Sequence, residues 1–397
     1  MSGPLRALFV TEGALGIGTV GHARVEPAIR AGLAGRDDVQ ARYVTLAPQG
    51  PVAKSLARGV PGLGAADLDL QALRWHVVQA LRARRLLEHE LRRAPVDVVH
   101  VVSHSIGLAM TGAMGRVPVL LSADISIRAH REMALWAPLQ RHSRAMLAPS
   151  VALERRSLRA AALVLPWTDW ARAGLAAEAP DAHYVVHNPG LDLHAFRPAK
   201  RAPRARPRVL FVGGRFAAKG GPDLLEAVAL VGRERLELDV VTFEDVAPQP
   251  GMRVHRDAPR ERLVELLREA DIACLPSRGD SFSWAVLEAM GCGAAVLATT
   301  TGAVPELLGH GSAGVLVAPR DPRALADALA GLLDDPARRA ALGAAARARA
   351  EERYDARRQG PRLVELMREA CASWTSPAPR RGTRSSRGRA SRAGRRG

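Results

Sequence analysis

The sequence predicts an α/β protein of two domains, each with a parallel β-sheet between helices. At 397 residues the chain is too long for one ordinary hydrophobic core. Short apolar segments alternate with helical patterns in both halves, which is typical of buried parallel strands. The segment PAKRAPRARPR at 198–208 is rich in proline and arginine, and it marks a domain boundary. We therefore expect domains at 1–200 and 201–355, then a helix at 356–375 that packs back on the first domain.

Each half contains its own series of strands and helices. In such sheets ligands bind beyond the carboxyl ends of the strands, so we expect the chemistry in the loops after Val10, Val212, Leu275 and Ala298. In the first half we predict strands at 5–10, 41–46, 97–102 and 117–121, and helices at 21–33 and 72–93. In the second half we predict strands at 209–212, 238–242, 272–275, 295–298 and 314–317, and helices at 222–231 and 261–269.

The net charge of +17 is concentrated at the C-terminus. The segment 376–397 contains eight arginines among Ser, Gly, Pro and Ala, and without them the net charge is +9. A segment of this composition has little to bury, so we expect it to be disordered, and its charge alone does not indicate a nucleic-acid partner.

Three widely spaced cysteines form no disulfide framework, and no apolar stretch approaches the length of a membrane span. The N-terminus lacks the pattern of a signal peptide, so we expect a cytoplasmic protein.

A glycine pattern, GIGTVG, follows the first predicted strand. Gly16, Gly18 and Gly21 match the G-x-G-x-x-G pattern of an NAD(P)-dependent oxidoreductase. The residues TEGAL separate the pattern from the strand, whereas the dinucleotide fingerprint needs glycine directly at the strand end. Three interpretations stay open: a dinucleotide site, a flexible loop, and a loop lining a phosphate-binding cleft. The context favours the third, with Gly16 and Gly18 beside the ligand.

The most informative segment begins at Ala270: ADIACLPSRGDSFSWAVLEAMGCGAAVLATTTGAVPELL. It places Asp280 in a loop after a strand and Glu288 inside the following helix, near the helix's free N–H groups. The segment resembles the retaining family 4 glycosyltransferases of the GT-B fold, in which two Rossmann-like domains face a cleft. Their hallmark is two glutamates separated by seven residues, then an alanine-rich helix, a strand and a Gly-x-Pro-Glu turn. Here the spacing holds, but the first acid is aspartate.

The resemblance implies roles around the donor. Asp280 would contact the donor sugar, and Glu288 would bind the ribose. The backbone N–H groups of Ser281, Phe282 and Ser283 would help to hold the sugar and phosphates. The alternative is that Asp280 is a turn residue and Glu288 a charge on a helix face.

A second match, RVLFVGGRFAAKGGPDLLEAV, resembles the first strand and the phosphate-binding turn of the second domain in this family. By resemblance Arg215 and Lys219 would neutralise the diphosphate leaving group, although their spacing of four is commonly longer in the family. Such cations suit the chemistry because charge builds on the departing phosphate in the transition state.

The first domain resembles the family more loosely, through VLPWTDWARAGL and YVVHNPGLDLHAFRP. After VPVLLSAD many members carry a histidine where this chain has Asp124, which would orient the donor sugar or an acceptor hydroxyl, or cap the next helix. His22 and His104 are weaker candidates on the acceptor side, since a lone histidine is more often structural. Asp67 and Asp69 form a D-x-D without the context of a metal site, so we expect no metal and no cofactor.

The expected function is transfer of a sugar from a nucleoside diphosphate sugar to an acceptor hydroxyl, with retention of anomeric configuration. The alternatives are a nucleotide-sugar epimerase, an NAD(P)-dependent oxidoreductase, and a polyanion-binding protein built on an inactive scaffold. The acceptor is unknown, and the candidate classes of acceptor are lipid-linked molecules and secondary metabolites. The stretch 127–159 combines seven arginines with apolar residues, so it is either a solvated helix pair or a surface for anionic membrane on the inner face.

Overall fold

Two parallel sheets flanked by helices form the protein, which confirms the predicted fold class. The computed structural model describes residues 3–12, 22–60, 62–63, 68–133, 142–201 and 204–375. The arginine-rich segment 376–397 and the glycine pattern at 16–21 lie outside the described residues.

The first sheet has five strands in the order β2-β1-β3-β4-β5, and every neighbouring pair is parallel. Strands β3, β4 and β5 are buried along their whole length, because helices cover both faces of a parallel sheet. These strands are β1 (Leu5–Thr11), β2 (Val39–Thr45), β3 (Val98–Val101), β4 (Val119–Ala123) and β5 (Leu163–Pro166).

The helices of the first half follow their strands, and α1 is preceded by a 3-10 turn at His22–Arg24. They are α1 (Val25–Leu33), α2 (Pro51–Leu56), α3 (Gln71–Arg93), α4 (His104–Gly107), α5 (Thr111–Met114), α6 (Ile127–Glu132), α7 (Ser143–Ala160) and α8 (Asp169–Glu178).

The second sheet has six parallel strands in the order β11-β10-β9-β6-β7-β8. Strand β8 was not predicted, because this edge strand, MRVHR, is partly exposed and has no continuous apolar run. The strands are β6 (Arg208–Val212), β7 (Glu237–Thr242), β8 (Met252–Arg256), β9 (Ile272–Leu275), β10 (Ala295–Thr299) and β11 (Val315–Val317).

The helices of the second half end in one that returns to the first. The last helix packs on α1 so closely that a Cβ atom on Gly360 would lie 2.0 Å from the Gly32 carbonyl oxygen. No helix among the described residues is both long and apolar enough to cross a membrane. The helices are α9 (Gly221–Val231), α10 (Arg260–Glu269), α11 (Trp284–Gly291), α12 (Val304–Leu307), α13 (Pro322–Asp334), α14 (Pro336–Arg353) and α15 (Ala356–Ser373).

The strand order reverses at one place in each sheet. In the first sheet the chain moves outward in both directions from β1 and β3, and in the second from β6 and β9. At such switch points the loops on either side diverge, and they leave a crevice at the carboxyl ends of the strands. The loops after β6 and β9 are those with the predicted donor residues.

Candidate functional site

A tight turn joins β6 to α9 and carries the predicted cationic pair. The Lys219 N–H donates to the Arg215 carbonyl oxygen at 2.9 Å, so the two residues lie one helical turn apart. Gly220 has φ of +79°, and a Cβ atom there would lie 1.8 Å from the carbonyl oxygen of Pro276. The turn packs directly against the end of β9, and glycine is required at position 220 because a side chain would not fit there.

Lys219 and Asp280 meet across the switch point of the second sheet. The Lys219 Nζ donates to Asp280 Oδ2 at 2.7 Å, with both side chains partly exposed to the cleft. Gly302, with φ of +53°, packs against the Asp280 backbone. A Cβ atom on Gly302 would lie 1.7 Å from the Asp280 carbonyl oxygen. Two residues 61 positions apart in the sequence therefore form one cation–carboxylate pair at the mouth of the crevice.

The loop after β9 also contacts the first half of the chain. Ser281 Oγ donates to Asp124 Oδ2 at 2.6 Å. Asp124 follows β4, and its predicted alternative role as a helix cap falls instead to Ser126, whose hydroxyl accepts from the Ala129 N–H at 3.2 Å. The carboxylate of Asp124 thus faces the loop after β9 across the cleft.

Glu288 lies inside α11 and is 1% exposed. Its Oε1 is 2.7 Å from the guanidinium of Arg24, which belongs to the turn before α1 in the other half of the chain. Burial raises the pKa of the Glu288 carboxyl, while the cations Arg24 and Arg260 oppose that shift. No motif in the sequence pointed to Arg24, which lies three residues after Gly21 and is the first arginine after the glycine pattern.

Three aromatic rings pack between the two halves beside this loop. Phe282 and Trp284 pack against Trp167 with ring centroids 5.2 Å and 6.1 Å away, and all three rings are buried. The Phe282 side chain therefore packs the two halves together, so a contact of Phe282 with a ligand would have to come from its backbone. Ser283 is the N-cap residue of α11, and its side chain makes no capping hydrogen bond.

Glu306, which ends the segment Gly-Ala-Val-Pro-Glu at 302–306, reaches the first half as well. Its Oε1 accepts from the Asp169 N–H and its Oε2 from the Trp170 N–H, both at 3.0 Å. These N–H groups start α8, where the first-turn donors have no partner within the helix. A residue of the second half thus caps a helix of the first, a role that the motif did not reveal.

The two histidine candidates have different outcomes. His104 is 7% exposed and its Nε2 lies 3.4 Å from Glu154 Oε1 inside the first half. Burial raises the pKa of Glu154 to about 8, and its Oε1 accepts from the Ile127 N–H at 2.9 Å. His22 begins the 3-10 turn before α1, and its side chain lies outside the described part of the structure.

The remaining candidates lie elsewhere or outside the described residues. Gly16, Gly18 and Asp67 are not among the described residues. Asp69 Oδ1 is 2.7 Å from Arg74, and its Oδ2 accepts from the Val60 N–H, so it stabilises the start of α3. Within the described ranges no group of three or more His, Cys, Asp and Glu residues is placed to hold a metal ion.

Known proteins resemble this chain in sequence. A family profile described as Glycosyl transferases group 1 matches residues 206–335. A D-inositol 3-phosphate glycosyltransferase of Thermobispora bispora is 36% identical over 222 residues, which are 48% of this chain and 52% of that protein. An MMP alpha-(1->4)-mannosyltransferase of Mycolicibacterium hassiacum is 30% identical over 317 residues, 74% of this chain and 75% of that protein. The chain spans about half the length of the first of these relatives.

Solved structures share the fold at low sequence identity. Sucrose-phosphate synthase from Thermosynechococcus elongatus superposes with a TM-score of 0.71 at 18% identity, covering 94% of this chain and 100% of that one. Anabaena Alr3699/HepE, solved in complex with UDP and glucose, gives a TM-score of 0.62 at 16% identity, covering 92% and 100%.

Proposed function

Because the chain belongs to the group 1 glycosyltransferases, we propose that it transfers a sugar from a nucleoside diphosphate sugar to an acceptor hydroxyl. The proposal includes retention of anomeric configuration and no requirement for a metal ion. The family does not favour the epimerase and oxidoreductase alternatives. A nucleotide-sugar donor is further supported by the fold neighbour from Anabaena, whose structure contains UDP.

The Lys219–Asp280 pair is the observation that carries the proposal. It lies at the switch point of the second sheet, where parallel α/β sheets bind ligands. A cation next to a carboxylate suits a ligand with two parts, a diphosphate and a polyhydroxylated sugar. The diphosphate would attract Lys219, and the sugar hydroxyls would donate to Asp280.

In the reaction the bond between the sugar C1 and the phosphate oxygen breaks, and a bond forms between C1 and the acceptor oxygen. The acceptor's proton passes to the leaving phosphate on the same face of the sugar, so no protein nucleophile is needed. Negative charge grows on the phosphate, and the fixed cations Lys219 and Arg215 stabilise it more in the transition state than in the ground state. Closure of the cleft excludes water and limits hydrolysis of the donor.

Asp124 extends the site toward the acceptor. It is hydrogen-bonded to Ser281, one residue after Asp280, so it lies where the two halves meet, next to the proposed sugar site. We assign it the role of orienting the donor sugar or the acceptor hydroxyl.

Ligand-dependent melting followed by turnover tests the function. The full chain is melted with UDP, GDP, ADP and their sugars, because a ligand that binds the folded state alone raises the melting temperature. Release of nucleoside diphosphate is then measured with the nucleotide sugar that raises the melting temperature and with a panel of acceptors. The anomeric configuration of the product is determined by NMR. Lys219→Ala should reduce turnover roughly 100- to 1,000-fold without changing melting, since it removes one charge-stabilising donor.

The matched control is Lys200→Ala, which removes an exposed lysine of the linker and should leave turnover unchanged. Near-normal turnover by Lys219→Ala would remove the proposed donor site. Donor epimerised without acceptor would favour the isomerase, and salt-sensitive nucleic-acid binding without donor turnover would favour the polyanion-binding alternative.

Contact with an anionic membrane, which a lipid-linked acceptor would require, is assigned to a different surface from the one expected at 127–159. In the described part of that stretch, 127–133 and 142–159, Leu147 and Val151 are buried, and Arg128 and Arg155 both pair with Glu178. Exposed apolar side chains instead cluster at 51–70, where α2 has no buried residue. They are Val52, Leu56, Val60, Leu63, Leu68 and Leu70.

Charge at 51–66 favours a lipid surface over a protein partner. This part of the segment contains no acidic residue, and its Lys54 and Arg58 are exposed among the apolar side chains. The acids Asp67 and Asp69 follow it, and Asp69 is paired with Arg74. Apolar and basic residues on one face are typical of an interfacial surface. The segment begins shortly after the end of β2. Its first residues therefore lie at the side of the first sheet where the carboxyl ends of the strands are.

Vesicle sedimentation of the full chain tests this surface. Leu56→Asp combined with Leu63→Asp should weaken sedimentation with phosphatidylglycerol vesicles, while Leu230→Asp, an equally exposed leucine of α9, should not. Equal sedimentation of all variants would show that the segment is not the membrane surface.

A further inference from the structure

Arg24 and Glu288 form an ion pair between the two halves of the protein. Their side chains are 19% and 1% exposed, and the pair spans 2.7 Å. Arg24 lies beside α1 of the first half, whereas Glu288 lies in α11 of the second. The pair therefore joins the two halves, and it would break if they moved apart.

The two oxygens of Glu288 have different surroundings. Oε1 contacts Arg24, but Oε2 is buried and has no hydrogen-bond partner within the described part of the chain. A buried carboxylate oxygen without a hydrogen-bond partner costs free energy, so in folded proteins such an oxygen is usually hydrogen-bonded by a ligand or a water molecule. Oε2 can accept a hydrogen bond from a hydroxyl group.

A cavity of about 40 Å³ adjoins this carboxylate, lined by Arg24, Arg260, Asp192 and Trp284 among others. A water molecule needs roughly 10–15 Å³ of such space, so the cavity admits a hydroxyl group but not a whole ribose. A nucleoside must therefore enter while the halves are apart, and Arg24 must return as they close.

We propose that Arg24 is a positioning residue for the donor, holding Glu288 so that Oε2 accepts a hydroxyl of the nucleoside. This inference rests on the proposed function, which places the ribose at Glu288. The guanidinium fixes the carboxylate in one rotamer and favours its charged form against the effect of burial, and a charged acceptor makes the stronger hydrogen bond. Because Arg24 comes from the opposite half, binding of the nucleoside is coupled to closure of the cleft.

Arg260 cannot replace Arg24 in this role. It belongs to α10, in the same half as Glu288, so its distance from the carboxylate does not report closure. Its guanidinium also lies over the Phe196 ring, 5.2 Å from the centroid. Of these two cations, Arg24 is the one that arrives with the opposite half.

Calorimetric titration of the full chain with UDP, GDP and ADP tests the proposal. For the nucleotide that binds, Arg24→Ala should raise Kd at least about tenfold, as expected for a hydrogen bond to a charged group. Arg24→Lys should recover part of the affinity. Donor KM should rise in the same proportion while kcat at saturating donor stays within about twofold, because the ribose takes no part in bond breaking.

A double-mutant cycle separates positioning from a structural effect. In a Glu288→Gln background, Arg24→Ala should cause little further loss of affinity, since Arg24 acts through the charge of Glu288. Arg30→Ala is the matched control: it removes an arginine of α1 that pairs with Glu26 in its own half, and Kd should not change.

Each other result overturns the inference. Unchanged or tighter binding by Arg24→Ala would show that Arg24 is idle or competes with the donor, and the proposed function would stand. Additive losses in the cycle would show that Arg24 does not act through Glu288. If the wild-type chain binds none of the three nucleotides, this inference falls together with the proposed function.

Discussion

Replacing Glu306 by alanine removes two hydrogen bonds that hold the two halves together. Both oxygens of this carboxylate accept from the first N–H groups of α8, at 3.0 Å each. A carboxylate at a helix N-terminus also interacts favourably with the helix dipole. The substitution should therefore favour the open cleft.

The magnitude follows from the geometry. A capping interaction is worth about 0.5–2 kcal/mol. Because Glu306 is partly exposed and Asp169 is exposed, this pair of contacts stays at about 1–2 kcal/mol, comparable to a single cap. That free energy corresponds to roughly a 5- to 30-fold change in the ratio of closed to open protein. Donor KM should rise by the same factor, while kcat changes little because saturating donor restores closure.

Initial rates measured against donor concentration provide the assay. Asp169→Pro removes one of the two N–H donors at the first helical position, where proline is tolerated, and should cost roughly half as much free energy. Glu265→Ala, an exposed acid of α10 that pairs with Arg262, is the control. A KM within twofold of the wild type for both Glu306→Ala and Asp169→Pro would refute the assignment of these contacts to closure.

Three further predictions test the metal-free mechanism, a buried acid and a glycine turn. EDTA should leave the initial rate unchanged, and recovery only with added manganese or magnesium would contradict the mechanism. Burial raises the pKa of Glu154 from 4.5 to about 8, so the folded chain holds a proton that the unfolded chain releases, and stability should fall as pH rises through that window. Melting of Glu154→Gln between pH 5 and 8 should be less pH-dependent, and an equal slope would refute this. Gly220→Ala should lose at least about 2 kcal/mol in urea unfolding, clearly more than Gly35→Ala, which shares a positive φ but has open space. Equal losses would exclude the clash with Pro276.

Local patterns in the sequence determined the class of fold and one side of the site. Apolar runs bounded by helical patterns identified most of the strands, because strands buried on both faces lack polar residues. The spacing of Asp280 and Glu288 and the Lys-Gly-Gly context of Lys219 pointed to donor residues, since each lies within a short segment whose conformation is largely local. The edge strand β8 was not predicted because it is partly exposed to solvent and therefore carries polar residues.

Tertiary structure decided which residues meet across the cleft. Arg24 and Glu288 are 264 positions apart, and Asp124 and Ser281 are 157 apart, so no local pattern links the members of either pair. The sequence also left Asp124 with two roles, and the structure gave the capping role to Ser126 because its hydroxyl lies next to the helix N-terminus. A chain encodes local conformation through neighbouring residues, whereas contacts between domains depend on how two complete sheets pack together. For this protein the sequence alone therefore determined the two sheets and indicated the loops after β6 and β9. Folding in three dimensions determined how the first half reaches over those loops.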